Sequence, residues 1–419
     1  MPTPRLILDW TLYRLALLLA APLIPLRLLW RGRRERGYLE HPGERLGAAN
    51  VPVGAIWIHA VSVGEMRAAQ PLIDALRAAR PGQPILLTCL TPTGRATAQA
   101  LYGAFAQVVY LPYDYAFPVR RFLRRARPAV GILMETELWP NLIRAAANLG
   151  VPLMLANARL SERSARGYAR LPALTRTSLA CIAVVAAQSE ADAVRLRQLG
   201  AREVAVTGNL KFDIAPPDEL LERGAVWRKQ WGARPVWLAA STREGEETLL
   251  LRAFAQHAPA EVLLVLVPRH PQRFDEVAGL IEAAGLTYAR RSVTTEVDAA
   301  TRVLLGDSLG ELFAYYAACD VAFVGGSLLP LGGQNLIEAA SVGRPVLVGP
   351  HTFNFEEATR RAIEAGAAQR VGDAEACVQK ALALLADASV RARMGAAGRD
   401  FAASHRGAAA RTLACVPRP

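Results

Sequence analysis

The chain is almost devoid of lysine. Lys211, Lys229 and Lys380 are the only three, so a net charge of +12 is carried by arginine spread along 419 residues. A nucleic-acid binder of that charge would show a helix-turn-helix, RNP or zinc-finger pattern, and none is present. Nucleic acid is therefore not the expected partner, and the excess points instead to a phosphorylated lipid or an anionic membrane. Cysteine is also scarce. Cys89, Cys181, Cys319, Cys377 and Cys415 are odd in number, scattered, and include no CxxC pair. That excludes a disulfide framework and a zinc ribbon, and it fits a reducing compartment. The six histidines form no HxxxH or HExxH cluster, so no metal is expected. Internal repeats and long low-complexity tracts are missing too.

An uninterrupted apolar run of full spanning length is lacking as well. The charge-free apolar run Leu15–Leu26 is broken by Pro22 and Pro25 and flanked by Arg14 and Arg27, and it falls short of the roughly 20 residues a spanning helix needs. Trp10, Tyr13 and Trp30 suit the interface, where the flanking arginines can snorkel. No small-residue cleavage site follows. Arg31-Gly-Arg-Arg-Glu-Arg36 then holds the remainder on the cytoplasmic side by the positive-inside tendency. Residues 1–36 are expected to form a monotopic or barely spanning anchor with a basic flank; a core helix is the alternative.

What is present is a folded two-domain composition, 52% hydrophobic, too long for one ordinary core. Apolar runs alternate with helical patterns: strands at 55–60, 84–89, 107–111, 129–134, 152–156 and 182–187, with helices at 65–79 and 94–102. Asp213-Ile-Ala-Pro-Pro-Asp218 interrupts this pattern, which restarts with strands at 236–240, 262–267, 302–305, 321–324 and 345–348. The expected fold class is α/β, two Rossmann-like doubly wound parallel sheets facing a cleft. The expected domains are 37–212 and 213–395, with a last helix in 396–419 returning to the first. Ligands in such sheets bind beyond the carboxyl ends of the strands.

The chemistry-bearing residues fall at those ends. Ser62-Val-Gly-Glu65, with Gly64 between, puts a carboxylate at a strand-to-helix turn, suited to general-base work; the same spacing is a capping box. Val130-Gly-Ile-Leu-Met-Glu135-Thr-Glu137-Leu-Trp139 ends a strand in two acids, which alternation puts on one face with Thr136 opposite. Arg163, Arg166 and Arg170 form one helical stripe, either a solvated face or a phosphate contact. In the second half, Ser241-Thr242-Arg243 and Pro268-Arg269-His270 are strand ends carrying cations, and the Arg269 fork suits phosphate. Gly325-Gly326-Ser327 and Gly332-Gly333-Gln334-Asn335, entering a helix with Glu338, read as an anion site with a carboxylate for sugar hydroxyls; Asn335-x-x-Glu338 is equally a helix cap.

The ordered set Ser62-Val-Gly-Glu65, Glu135-Thr-Glu-Leu-Trp-Pro140, Asn157-Ala-Arg-Leu-Ser161, Gly208-Asn-Leu-Lys211, Ser241-Thr242, Pro268-Arg-His270, Gly306-Asp307 and Gly325 to Pro350 resembles the 3-deoxy-D-manno-octulosonic acid (Kdo) transferases, glycosyltransferase family 30. The resemblance implies a GT-B glycosyltransferase with no bound metal or other cofactor. It implies inverting transfer of Kdo from CMP-Kdo to the 6′-hydroxyl of a lipid A precursor in lipopolysaccharide biosynthesis, at the cytoplasmic face of the inner membrane. It places the general base on Glu65 and donor binding on Ser241, Thr242, Arg269, Gly333, Asn335 and Glu338. Asn209 and Lys211 are expected to face the phosphate or the donor sugar, and Ser62, Gly64, Glu137, Trp139, Arg163 and Arg166 the acceptor side. Many relatives carry histidine where this chain has Arg243 and Gln334. A GT-B enzyme using a UDP-sugar, such as a lipid A disaccharide synthase or an epimerase, is the neighbouring alternative, and a silent nucleotide-binding scaffold the remote one.

Overall fold

Each β-strand run becomes a strand because it is apolar on both faces and so suited to a sheet covered by helices on both sides. The structure, a computed structural model, describes residues 3–213, 215–294 and 296–418. Ile214, in the expected linker, and residues 1, 2, 295 and 419 lie outside the described residues. The chain divides into two compact units, Met1–Asp213 with Gly407–Pro419, and Ile214–Arg406.

The first unit holds β1 (Ile56–His59), β2 (Ile85–Cys89), β3 (Ala106–Tyr110), β4 (Val130–Met134), β5 (Leu153–Ala158), β6 (Val184–Ala187) and β7 (Val204–Val206). They form one parallel sheet in the order 3-2-1-4-5-6-7. Alternation along β1 sends Trp57 into the core on one face, with Phe122 and Leu133, and Ile56 and Ile58 into the core on the other, with Met66 and Leu72. Gly131 in β4 is required by this packing, since a Cβ there would stand 2.7 Å from the Trp57 ring. β1 lies between β2 and β4, so the chain leaves β1 toward one side and β4 toward the other. The loops after these two strands therefore diverge and open a crevice at their carboxyl ends.

The second unit repeats the plan with β8 (Val236–Thr242), β9 (Leu263–Pro268), β10 (Tyr288–Arg290), β11 (Val303–Leu305), β12 (Val321–Val324), β13 (Val346–Val348) and β14 (Ala368–Arg370). Their order is 10-11-9-8-12-13-14, all parallel. Here the diverging loops follow β8 and β12.

Three strands that the sequence pattern does not mark are β7, β10 and β14, each three residues long and each at a sheet edge. Val204–Val206 is apolar but only three residues long and partly exposed, and Tyr288–Arg290 and Ala368–Arg370 mix polar residues into runs as short. The helix expected over 65–79 is two helices, Val63–Ala68 and Gln70–Ala79, and Pro71 at the start of the second accounts for the break. The helix expected at the C-terminus belongs to a longer one, Ala388–His405, in the second unit. The chain rejoins the first unit only at Gly407, where helix Ala408–Ala414 packs on Gln70–Ala79. Asp213 accepts from the backbone N–H of Gly407 at 2.8 Å and of Ala409 at 2.6 Å, so the residue that leaves the first unit caps the helix that returns to it.

At the N-terminus two helices, Pro4–Ala20 and Leu23–Gly32, meet at a 45° bend. Among the described residues no single helix is long and apolar enough to cross a membrane, although this pair together has the length and composition. One side of the first helix is fastened to its unit. Asp9, 1% exposed, accepts from Ala173 N at 2.9 Å and Leu174 N at 3.2 Å. Tyr13 donates to Asp114 Oδ2 at 2.6 Å, and Tyr115 to Leu17 O at 2.7 Å. The other side bares Leu8, Leu12, Leu15, Leu18 and Leu19, and the second helix bares Leu23, Leu26, Leu29 and Trp30.

Candidate active site

In the first unit Glu65 sits one turn beyond β1. Ser62 caps its helix, accepting from Glu65 N at 3.3 Å and donating to Glu65 Oε1 at 2.9 Å, while Val61 N donates to Oε2 at 2.8 Å. The capping spacing is thus realised, with the reciprocal bond landing on Val61 rather than on Ser62. It does not exhaust the carboxylate, because each oxygen keeps a further lone pair. Burial pushes the Glu65 carboxyl above its ordinary value, the charge of Glu135 adds to this, and the Val61 N–H, Ser62 and Lys211 oppose it. Gly64 has room for a side chain, its nearest neighbour being Ser62 Oγ at 3.8 Å, so the fold itself does not demand glycine there.

The two acids beyond β4 depart from simple alternation. The strand stops at Met134, and Glu135 turns into the left-handed region with φ 56°. Its Oε1 meets Lys211 Nζ at 2.9 Å. Glu137 is pushed up to about 7 by burial, with the charges of Glu65 and Glu135 adding to it. Three carboxyls thus interact electrostatically with one lysine among them. Lys211 is held there by Asn157, buried and itself at φ 55°, whose Oδ1 accepts from Leu210 N at 2.9 Å. Asn209 Oδ1 accepts from Lys211 N at 3.0 Å and fixes the same short turn. Trp139, partly buried, has an indole N–H with no partner among the described residues. Helix Glu162–Tyr168, which exposes Arg163 and Arg166, is tied to the acid loop by Tyr168, whose hydroxyl donates to Thr136 O at 3.2 Å.

In the second unit β8 ends in Ser241, at φ 54°, and Thr242, whose buried Oγ1 has no partner among the described residues. Gly325, after β12, comes so close that a Cβ would stand 2.7 Å from Ser241 O, so only glycine fits. Arg269 N donates to Thr242 O at 2.9 Å, joining the Ser-Thr and Pro-Arg-His turns. Partial burial and the charges of Arg243, Arg269 and Arg273 lower the His270 pKa below its ordinary value.

The glycine loop after β12 differs from expectation. Its amides already hold an anion, the chain's own Glu246, which is fully buried and was not singled out in the sequence. This carboxylate accepts from Gly326 N (2.6 Å), Ser327 N (2.9 Å), Leu328 N (2.8 Å) and Arg243 N (2.9 Å). The anion site read into Gly325–Ser327 is therefore internal. The next turn remains: Gly333 N donates to Gly326 O at 2.6 Å, and Asn335, just before the Leu336 N-cap of helix Ile337–Ser341, accepts from Ile337 N at 3.1 Å while donating to Glu338 Oε1 at 3.3 Å. Burial pushes Glu338 up to about 7, opposed by the charge of Arg269 and by the Asn335 hydrogen bond. Arg243 and Gln334 are neighbours over Gly326, whose Cβ position is 3.4 Å from one and 3.2 Å from the other. Asp307 is engaged internally by Ser292 and Arg290. Among the described residues no three His, Cys, Asp or Glu side chains gather as metal ligands.

Two doubly wound units, each with polar groups gathered where its strand order reverses, define a protein of the GT-B fold. Residues 37–214 match the family model described as 3-deoxy-D-manno-octulosonic-acid transferase (kdotransferase). The chain is 49% identical to the 3-deoxy-D-manno-octulosonic acid transferase of Bordetella pertussis over 96% of this chain and 97% of that one. It is 39% identical to the transferase of that name from Haemophilus influenzae over 96% of each. Among solved structures it is similar in fold to MurG of Acinetobacter baumannii, with a TM-score of 0.57 and 14% identity over 87% of this chain and 99% of that one. The chain belongs to the Kdo transferase family and is a glycosyltransferase.

Proposed function

We propose that the enzyme transfers Kdo from CMP-Kdo to the 6′-hydroxyl of a lipid A precursor with inversion, in lipopolysaccharide synthesis, and that Glu65 is the general base. The observation that carries this reading is the Glu65 carboxylate. It stands beyond the strand at which the first sheet's order reverses, with its pKa raised by burial, and a raised pKa makes a carboxylate a better proton acceptor near neutral pH. Glu65 takes the acceptor's hydroxyl proton as that oxygen bonds to the anomeric carbon of Kdo. The bond to CMP breaks, and its electron pair leaves with the phosphate. Arg269 meets the charge growing on that phosphate, and Glu338 accepts from the ribose hydroxyls. Glu137, pushed up to about 7 by burial, is only partly ionised at neutral pH, which limits the repulsion that Glu65 would otherwise meet.

The bared leucines of the N-terminal pair support placement at an anionic membrane surface, with both helices lying in the interface and the arginines between Arg27 and Arg36 toward the headgroups. On the cytoplasmic leaflet of the inner membrane this brings the first unit to a lipid acceptor.

The test is transfer from CMP-Kdo to tetraacyl lipid A precursor by the wild type and by Glu65→Gln, with products read by mass. Loss of roughly several hundred-fold in the variant is expected of a removed general base. Product formation at near wild-type rate by the variant would reduce Glu65 to a helix cap, and absence of product from the wild type would discard the acceptor.

A further inference from the structure

Where the N-terminal helix Pro4–Ala20 docks, an open cavity of about 490 Å³ remains against helices Pro140–Asn148 and Pro172–Ala180. Its floor is apolar: Trp10, 9% exposed, with Pro140 and Ile143. Two guanidinium groups lie over the same indole, Arg14 at 5.5 Å and Arg144 at 5.1 Å from its centroid. Neither has an ion pair among the described residues. The acid nearest in sequence, Asp9, is engaged by Arg5 and by the amides of Ala173 and Leu174. Both guanidinium groups line this one cavity, so an anion seated in it meets two cations. Arg14 also stands one turn before Leu18 and two turns after Ile7, on the edge of the bared apolar face; these two are 67% and 54% exposed.

We propose that this cavity is a headgroup site for one anionic phospholipid. Its phosphate bridges Arg14 and Arg144 above Trp10, and its acyl chains lie along the Ile7–Leu18 stripe. The proposal rests on the membrane-surface reading above. A zwitterionic lipid would bring an ammonium toward two arginines, and a free phosphate would leave the apolar stripe bare. The site is separate from the Glu65 turn, and it would set the depth and tilt at which the first unit rides on the bilayer.

Cys181 is exposed and lines the same cavity, which supplies a reporter in the unmodified full chain. Alkylation of Cys181 by a neutral maleimide, read by peptide mass, is compared with monomeric short-chain phosphatidylglycerol, with the matching phosphatidylcholine and with inorganic phosphate. Phosphatidylglycerol alone is expected to slow it roughly tenfold, as two arginines near an anionic headgroup allow, and Arg14→Gln with Arg144→Gln is expected to abolish the protection. Equal protection by phosphatidylcholine or by phosphate, protection that survives in the double variant, or none at all overturns the site. Flotation with phosphatidylglycerol vesicles separates the two readings. A wild-type chain that does not float defeats the membrane reading itself, whereas one that floats with Cys181 unprotected defeats the headgroup site alone.

Discussion

Lys211 Nζ stands 2.9 Å from Glu135 Oε1, and both residues act electrostatically on Glu65, in opposite senses. Removing the lysine leaves the Glu135 charge unopposed. Lys211→Met is therefore expected to raise the Glu65 pKa further. Because a base works only when ionised, the acid limb of the kcat/KM–pH profile should move to higher pH, with the plateau less affected. A limb that stays in place, or moves down, would show that Lys211 does not act on Glu65.

Glu246 offers a test of fold rather than of catalysis. Its fully buried carboxylate satisfies four backbone N–H groups, three of them on the loop after β12. Glu246→Ala would strand these donors and should cost roughly 3 kcal/mol or more, a fall of about 6 to 12 °C in the melting temperature of the second unit. A change below about 2 °C would mean that the loop finds other partners.

Glu137 and Glu338 are each held near 7 by burial, against an ordinary carboxyl value of 4.5. Between those limits the folded chain keeps protons that the unfolded chain has released. Stability should therefore fall as pH rises through that window, with neither group contributing to the slope below 4.5 or above about 7. Glu137→Gln should remove its own share of the fall in the first unit, where Glu65, also raised by burial, keeps another, and Glu338→Gln its share in the second, as read from urea midpoints at acid and neutral pH. Stability that rises across the window by the same share would contradict burial as the dominant cause.

The interior strands and the order of the site turns were legible because a parallel sheet covered on both faces writes itself as uninterrupted apolar runs, as at Ile56–His59 and Leu263–Pro268. The edge strand Tyr288–Arg290 has no such run, since its residues are only partly buried. The local turn at Ser62 was readable as chemistry and as a cap, and the structure shows the cap geometry. Glu246 was not readable. Three of its four partners lie about eighty positions downstream, and nothing in Arg243-Glu-Gly-Glu246 distinguishes an acid that fills a distant glycine loop from one that opens a helix. Glu135 misled for a different reason: alternation presumes that the strand continues, and a left-handed residue ends it.

Nucleotide binding by the second unit carries the last expectation. CMP, but not UDP, should raise its melting temperature, a ligand at a hundred times its Kd adding about 2.7 kcal/mol. Ribose hydroxyls donating to Glu338 favour its ionised form, so binding near neutral pH should release a proton from a carboxyl otherwise held near 7. Affinity for CMP should therefore tighten between pH 6 and 8 by more than the nucleotide's own phosphate, with a second pKa of about 6, accounts for. Titration calorimetry in buffers of different ionisation enthalpy reads that proton directly. Glu338→Gln should bind more weakly and lose the excess pH dependence. Proton release that persists in the variant would move the ribose contact away from Glu338, and equal stabilisation by UDP would move the whole donor assignment to a UDP-sugar.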